Sequence, residues 1–325
     1  MVNDQTNADP GLFDALMGDG RPLLTLTGLA LIGSGLFAFF LGVTGHFLPQ
    51  DIAYLGMNAD ELCSLADSRV VYFMIHDRVS FGGAILGVGT LYLWLAEFPL
   101  RARQGWAWWT LLISGVLGFA SFLAYLGYGY LDSWHGIATL VLLPIFATGM
   151  FKSLALVRPL PSIRLALTTR SIGSWRSASE LGRLLLLVTA FCLVAGGLII
   201  MAVGMTTVFV PQDLDYMQLT TSDLQSANPR LMPLIAHDRA GFGGGVCCCG
   251  ITMFLCVLCG TPSRSLWQAL FITGTSGFGS AIGVHYPIGY TNWFHLAPAY
   301  LGAVMFFSGM ALTFPRSSAA VPRTS

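Results

Sequence analysis

Apolar runs of about 20 residues recur along this sequence, and they limit its fold more than any other feature. The first of them, LLTLTGLALIGSGLFAFFLGV at 23–43, contains no charged residue. A helix of about 20 residues, rising about 1.5 Å per residue, crosses the hydrocarbon core of a bilayer. Membrane strands would instead alternate apolar and polar residues, which these runs do not. The runs therefore predict an all-α integral membrane protein.

The charge content supports the same prediction. Only 10% of the 325 residues are charged, whereas about 25% is usual for a soluble domain. The formal net charge is +0 and no basic block occurs, so no nucleic-acid partner is predicted. The lipid bilayer is the predicted surrounding, and a membrane-complex partner or a homo-oligomer stays open.

The two halves of the sequence resemble each other. FLPQDIAY at 47–54 matches FVPQDLDY at 209–216, and HDRVSFGG at 76–83 matches HDRAGFGG at 237–244. Similarity at a constant spacing indicates two tandem copies of one structural unit. Each copy contains four apolar segments, so the sequence predicts eight transmembrane helices arranged as two parallel four-helix bundles. The predicted spans are 23–47, 70–95, 106–128, 134–151, 182–209, 231–258, 266–285 and 293–314.

The positions of the basic residues predict the orientation. Of the 16 Lys and Arg residues, 12 fall in the tails, in the linker or in loops on the linker's side, and such residues favour the cytoplasmic side. We therefore expect a cell (inner) membrane protein with both termini cytoplasmic. Its predicted parts are an N-terminal tail (1–22), a first repeat (23–151), a basic linker (152–181), a second repeat (182–314) and a C-terminal tail (315–325).

The repeated His-Asp-Arg triplet lies inside apolar segments, about six residues from their start. Ionisable groups at such a depth usually face the bundle interior and pair with one another. Neighbouring residues on a helix point in different directions, so Asp77 and Arg78 cannot pair face to face. We expect Asp51 to pair with Arg78 and Asp213 to pair with Arg239. Asn58 and Thr220 begin capping patterns, which predict short helices over these residues.

These residues form two predicted polar pockets. The first contains Asp51, His76, Asp77, Arg78 and His135, and the second contains Asp213, His237, Asp238, Arg239 and His295. Four glycines beside the triplets would let a backbone or a flat ligand approach closely, and they are Gly82, Gly83, Gly243 and Gly244.

The chemistry of the pockets points to a redox component of the membrane. The candidate metal ligands are His76 with His135, and His237 with His295. Imidazole and carboxylate suit a transition metal, paired histidines suit haem, and a histidine can accept a proton from quinol. Haem, a transition metal and a quinone are therefore the candidate cofactors. His285 has no counterpart in the first copy, so it is interpreted as a helix-end histidine.

Two other classes of function stay open at this stage. The triplets can serve as structural ion-pair clamps in a non-catalytic membrane subunit or scaffold. A lipid-handling or transport protein is the other alternative, although carriers usually place polar groups near the membrane midplane. The sequence does not decide whether the protein is an enzyme.

Overall fold

The computed structural model describes residues 11–123, 130, 133–167 and 177–315. Within these ranges all regular secondary structure is helical, which confirms the all-α prediction. Parts of the predicted tails and linker lie outside the described residues, at 1–10, 168–176 and 316–325.

The long helices coincide with the apolar segments of the sequence. In chain order the helices are α1 Leu12–Met17, α2 Arg21–Thr44, α3 Pro49–Leu55, α4 Ala59–Cys63, α5 Arg69–Leu95, α6 Gly105–Leu123, α7 Ser133–Ser153, α8 Ile163–Ala166, α9 Ala178–Met205, α10 Pro211–Met217, α11 Thr221–Ala227, α12 Leu231–Cys259, α13 Arg264–Gly283 and α14 Trp293–Leu312. The ends of the long helices lie within about four residues of the predicted ends, which is the usual uncertainty of helix boundaries. The predicted end of the third segment, at 124–128, falls outside the described residues.

Six helical segments are long and apolar enough to cross a membrane, judged by length and composition. Among the described residues these are Arg21–Thr44, Ala66–Leu100, Ser133–Val157, Ala178–Met205, Leu231–Cys259 and Trp293–Leu312. Large apolar side chains such as Phe40 and Phe191 are exposed on them. Such surfaces suit a lipid bilayer, in which exposed apolar side chains carry no penalty.

Short helices cover one end of the long helices, which we call the capped end. It is formed by α3, α4, α10 and α11. Asn58 and Glu61 form the predicted capping box of α4, and Thr220 and Asp223 form that of α11. In each box, the side chain of each residue accepts a hydrogen bond from the backbone N–H group of the other residue at the start of the helix. The predicted short helices are therefore confirmed.

The central helices, α5 and α12, are the most buried of the candidate spans and lie side by side. Each is accompanied by the long helix before it in the chain, α2 on α5 and α9 on α12. The long helix that follows each central helix packs on the central helix of the other half. Thus α6, which follows α5, packs on α12, and α13, which follows α12, packs on α5. This packing differs from one self-contained four-helix bundle per half, because each central helix completes its surroundings with a helix of the other half.

The glycines that follow the two triplets allow this close packing. A Cβ atom on Gly82 would lie 2.9 Å from the carbonyl oxygen of Gly35 in α2, and one on Gly83 would collide with α13. Gly243 has the same relation to α9, and Gly244 to α6. Small residues at membrane-helix contacts let backbones approach closely. The close approach predicted at these four glycines is thus made by neighbouring helices.

Candidate functional site

Arg78 lies in α5 between two carboxylates near the capped end. Its Nη2 is 2.8 Å from Oδ2 of Asp51, the partner expected from the sequence. Its Nε donates to Oδ2 of Asp238 at 3.0 Å, so it also binds the triplet of the other half. The guanidinium group of Arg78 therefore ties α3, α5 and α12 together.

Arg239 makes the corresponding contacts from α12. Its Nη1 donates to Oδ2 of Asp213 at 2.6 Å, as the sequence predicted, and to the carbonyl oxygen of Val208 at 2.7 Å. Its Nε lies 3.3 Å from Oδ2 of Asp77. Each triplet arginine thus pairs with a loop aspartate of its own half and a triplet aspartate of the other half.

The loop aspartates are held by local helix geometry and by a tyrosine each. Asp51 and Asp213 occupy the first turns of α3 and α10, where each accepts a backbone N–H. Tyr130 donates to Oδ1 of Asp51 at 2.5 Å, and Tyr290 donates to Oδ1 of Asp213 at 2.7 Å. Burial and the neighbouring Asp213 raise the pKa of Tyr290. This hydroxyl therefore stays protonated and serves as a donor.

The ion network contains more acid than base. Three buried aspartates (Asp51, Asp77 and Asp213) and the partly buried Asp238 face two arginines. With all four carboxylates ionised, a formal excess of two negative charges remains in a region largely removed from water. Buried charge is costly unless it is compensated. Protons on neighbouring histidines or a bound cation can supply that compensation.

Three histidines converge beside this network. His76, His285 and His295 each offer one ring nitrogen, and these three nitrogens lie within 4.8 Å of one another. His76 lies in the second turn of α5, His285 follows the end of α13, and His295 lies in the first turn of α14. The ring centroids of His285 and His76 are 4.4 Å apart, and those of His285 and His295 are 5.2 Å apart.

The neighbour of one of these rings fixes which nitrogen is free to bind an ion. Tyr290 gives its hydrogen to Asp213, so the Nδ1 of His295, at 3.1 Å from the Tyr290 hydroxyl, must donate. In a neutral imidazole the second nitrogen then carries a lone pair. The Nε2 of His295 is therefore a potential metal ligand. The Nδ1 of His76 lies 3.0 Å from Oδ1 of Asp77 but makes no hydrogen bond of good geometry with it.

His285 is the residue of this cluster that sequence reasoning missed. It is 4% exposed, and its ring nitrogens make no hydrogen bond of good geometry, although the ring also interacts with the backbone of Ala281. A buried polar atom without a partner is rare and costly. The sequence signal that could have pointed to His285 is its position ten residues before His295. One predicted apolar segment ends at His285, and the next begins just before His295.

The histidine pairs differ from those predicted for the two pockets. The sequence paired His76 with His135 and His237 with His295. In the structure His76 lies beside His295, with ring centroids 5.7 Å apart, and His135 lies beside His237, at 5.2 Å. The pairs form across the halves where α13 packs on α5 and α6 packs on α12, although α14 and α7 themselves pack against α9 and α2 of their own halves.

No known protein family, curated protein or solved structure matches this chain. Its function is therefore argued from the geometry of the site.

Proposed function

We propose that the chain is a multi-pass membrane protein that binds a transition-metal ion through His76, His285 and His295 and acts as a redox component of its membrane. The observation that carries this proposal is the buried His285, whose ring nitrogens have no side-chain hydrogen-bond partner inside a group of three imidazoles. A metal ion would give this ring the ligand contact that no side chain provides.

The surroundings of the three histidines support a metal site. Imidazole nitrogen suits zinc, copper and iron, and three protein ligands leave a position open for a small molecule. Ligating histidines usually give their other N–H to a carboxylate or a hydrogen-bonded group. Tyr290 stands in that position toward His295, and the carboxylate of Asp77 lies 3.0 Å from the Nδ1 of His76. When bound, the ion would supply electron transfer or Lewis-acid chemistry, and its charge would offset the excess of aspartates.

Haem fits this arrangement less well than a single ion. Haem iron accepts at most two axial protein ligands, whereas three imidazoles meet here. Their ring centroids are only 4.4 to 5.7 Å apart, which leaves no space for a macrocycle between any two of them. Haem is therefore not part of the proposal.

The metal proposal predicts a loss of bound metal in His285→Ala. Purified protein supplied with zinc, copper and iron salts should retain about one ion per chain, and His285→Ala should retain less than about a tenth of that. The matched control is His135→Ala, which removes a histidine outside the three-histidine group and should leave the metal content unchanged. Elemental analysis measures both.

The identity of the ion tests the redox part separately. Copper or iron with a reversible spectral change on reduction is expected. Zinc alone would remove the redox role and keep the metal site. Wild-type protein without metal after supplementation would contradict the whole proposal.

A structural clamp is the second candidate function, and one observation favours it. Arg78 and Arg239 each join carboxylates of both halves, so they cross-link α5 and α12 without any ligand. In that case His76 and His237, which lie beside Asp77 and Asp238, belong to the same structural network. A metal-free protein that still depends on these arginines for stability would favour the clamp.

We also propose that α6 and α13 cross the membrane, which gives eight spans in two tandem copies with both termini cytoplasmic in a cell (inner) membrane. In support, they contain 19 and 20 residues and pack against the central helices, and about 20 residues suffice to span a bilayer. A membrane-complex partner or a second copy of the chain remains part of this proposal.

The eight-span proposal predicts opposite sides for the two ends of α13. Alkaline phosphatase, which is active only outside the cytoplasm, should be active when fused after Ile288 and inactive when fused after Thr261. If α13 did not cross, both fusions would lie on the same side and would show the same activity. Immunoblots of both fusions would confirm equal expression.

A further inference from the structure

A large cavity begins at the three histidines and runs between α5, α9, α12, α13 and α14. Its volume is about 540 Å³, within the range of about 300–1,000 Å³ usual for small-molecule sites. Polar groups line one end, where His76, Arg239 and His295 lie, and most of the remaining wall is apolar. The cavity that occupies the corresponding place beside His135 has a volume of only about 110 Å³.

The cavity reaches the outer surface of the protein between α9 and α14. These helices touch at the end away from the short helices, where a Cβ atom on Gly182 would lie 2.8 Å from the carbonyl oxygen of Gly309. Nearer the capped end both line the cavity, and two lining residues are exposed there, Ile199 at 64% and Phe294 at 78%. A molecule dissolved in the membrane can therefore enter sideways.

The charge at the polar end selects against anions. The excess of buried aspartates lies beside Arg239, whose guanidinium group is already paired with Asp77 and Asp213. A fatty-acid carboxylate or a phospholipid phosphate would meet repulsion and find no free cation there. Imidazoles and the Ser80 hydroxyl can instead exchange hydrogen bonds with uncharged hydroxyl or carbonyl oxygens. The suitable head group is neutral and carries oxygen atoms.

The walls next to the polar end suit a flat ring. Phe242 lines the cavity beside His76, with ring centroids 6.5 Å apart and the planes nearly perpendicular. Gly196 and Gly277 line it too, and a Cβ atom on either would meet no atom within 4 Å. Aromatic rings pack favourably against other rings edge to face, and the glycines leave room for a broad group.

We propose that this cavity binds a membrane quinone or quinol, with its oxygen-bearing ring at His76, His285 and His295 and its isoprenoid tail directed toward the gap between α9 and α14. The proposal goes beyond the metal site, because the cavity, its opening and its charge do not require a bound ion. Binding alone is proposed, and no electron-transfer step is included.

Filling the cavity from its glycines tests the proposal in the full-length protein. Gly277→Leu and Gly196→Leu add a side chain at positions that line the cavity and where a Cβ atom meets no described atom within 4 Å. We expect each to weaken the binding of decyl-ubiquinone, measured by equilibrium dialysis in detergent, at least about tenfold. The matched control is Gly279→Leu, at an exposed position of the same helix outside the cavity, with an expected change below about twofold.

The head group and the metal are tested in the same preparations. In the metal-free protein, decanoate should bind at least about tenfold more weakly than decyl-ubiquinone, since the uncompensated carboxylates repel its charge. Equal binding of the two probes, no binding by the wild type, or equal weakening in Gly279→Leu would overturn the quinone proposal. The wild type separates the two functions: if it contains no metal after supplementation and still binds decyl-ubiquinone, only the metal proposal fails.

Discussion

Arg239→Ala is expected to lower the free energy of unfolding by about 3–5 kcal/mol, because it strands two buried carboxylates. Arg239 is 6% exposed, and its removal leaves Asp77 and Asp213 facing each other without a cation. Asp213 keeps its hydrogen bonds to Tyr290 and to the backbone, whereas the carboxylate oxygens of Asp77 have no hydrogen bond of good geometry among the described residues. Thermal denaturation of the detergent-purified protein measures the loss.

Arg101→Ala is the matched control for charge removal, since Arg101 is exposed in the turn that follows α5. Substitutions at exposed positions usually change stability by less than about 0.5 kcal/mol. Equal losses of stability in the two variants would mean that the Arg239 pairs are not buried in the folded protein. Adding Asp77→Asn to Arg239→Ala should restore part of the loss, because the stranded charge is then removed.

Gly243→Leu is expected to prevent native packing of α9 against α12. A Cβ atom on Gly243 would lie 2.5 Å from the backbone nitrogen of Met201 and 2.7 Å from the carbonyl oxygen of Gly197. Neither atom can move without moving α9 itself, so the whole helix pair must separate. Overpacking typically costs about 1–3 kcal/mol when side chains can adjust, and a larger loss is expected where only backbone can.

The control for this substitution is Gly33→Leu in α2, where a Cβ atom meets nothing within 4 Å. Leucine has a higher helix propensity than glycine, so Gly33→Leu should leave stability unchanged or raise it slightly. The yield of folded protein on size-exclusion chromatography distinguishes the two variants. Normal folding of Gly243→Leu would show that α9 and α12 are further apart than the structure has them.

Much of the fold follows from the sequence because its signals are local. Apolar runs of sufficient length define the long helices, and the bounds of α5 and α14 deviate little from the predicted ones. The capping boxes at Asn58 and Thr220 depend on residues three positions apart. The pairs Arg78–Asp51 and Arg239–Asp213 also formed as expected, since each joins residues fewer than thirty positions apart, with one short α-helix between them.

The sequence by itself determined the helices, the capped end and the need for charge pairing around each triplet. The tertiary structure decided which helices and residues of the two halves come together: α13 packs on α5, His76 lies beside His295, and His285 completes the cluster. Because the two halves have nearly the same triplet and glycines, a helix can make nearly the same contacts with its own half as with the other half. The choice between them depends on how whole helix faces fit, at glycines such as Gly83. That fit is a property of the packed helices, and no local sequence pattern predicts it.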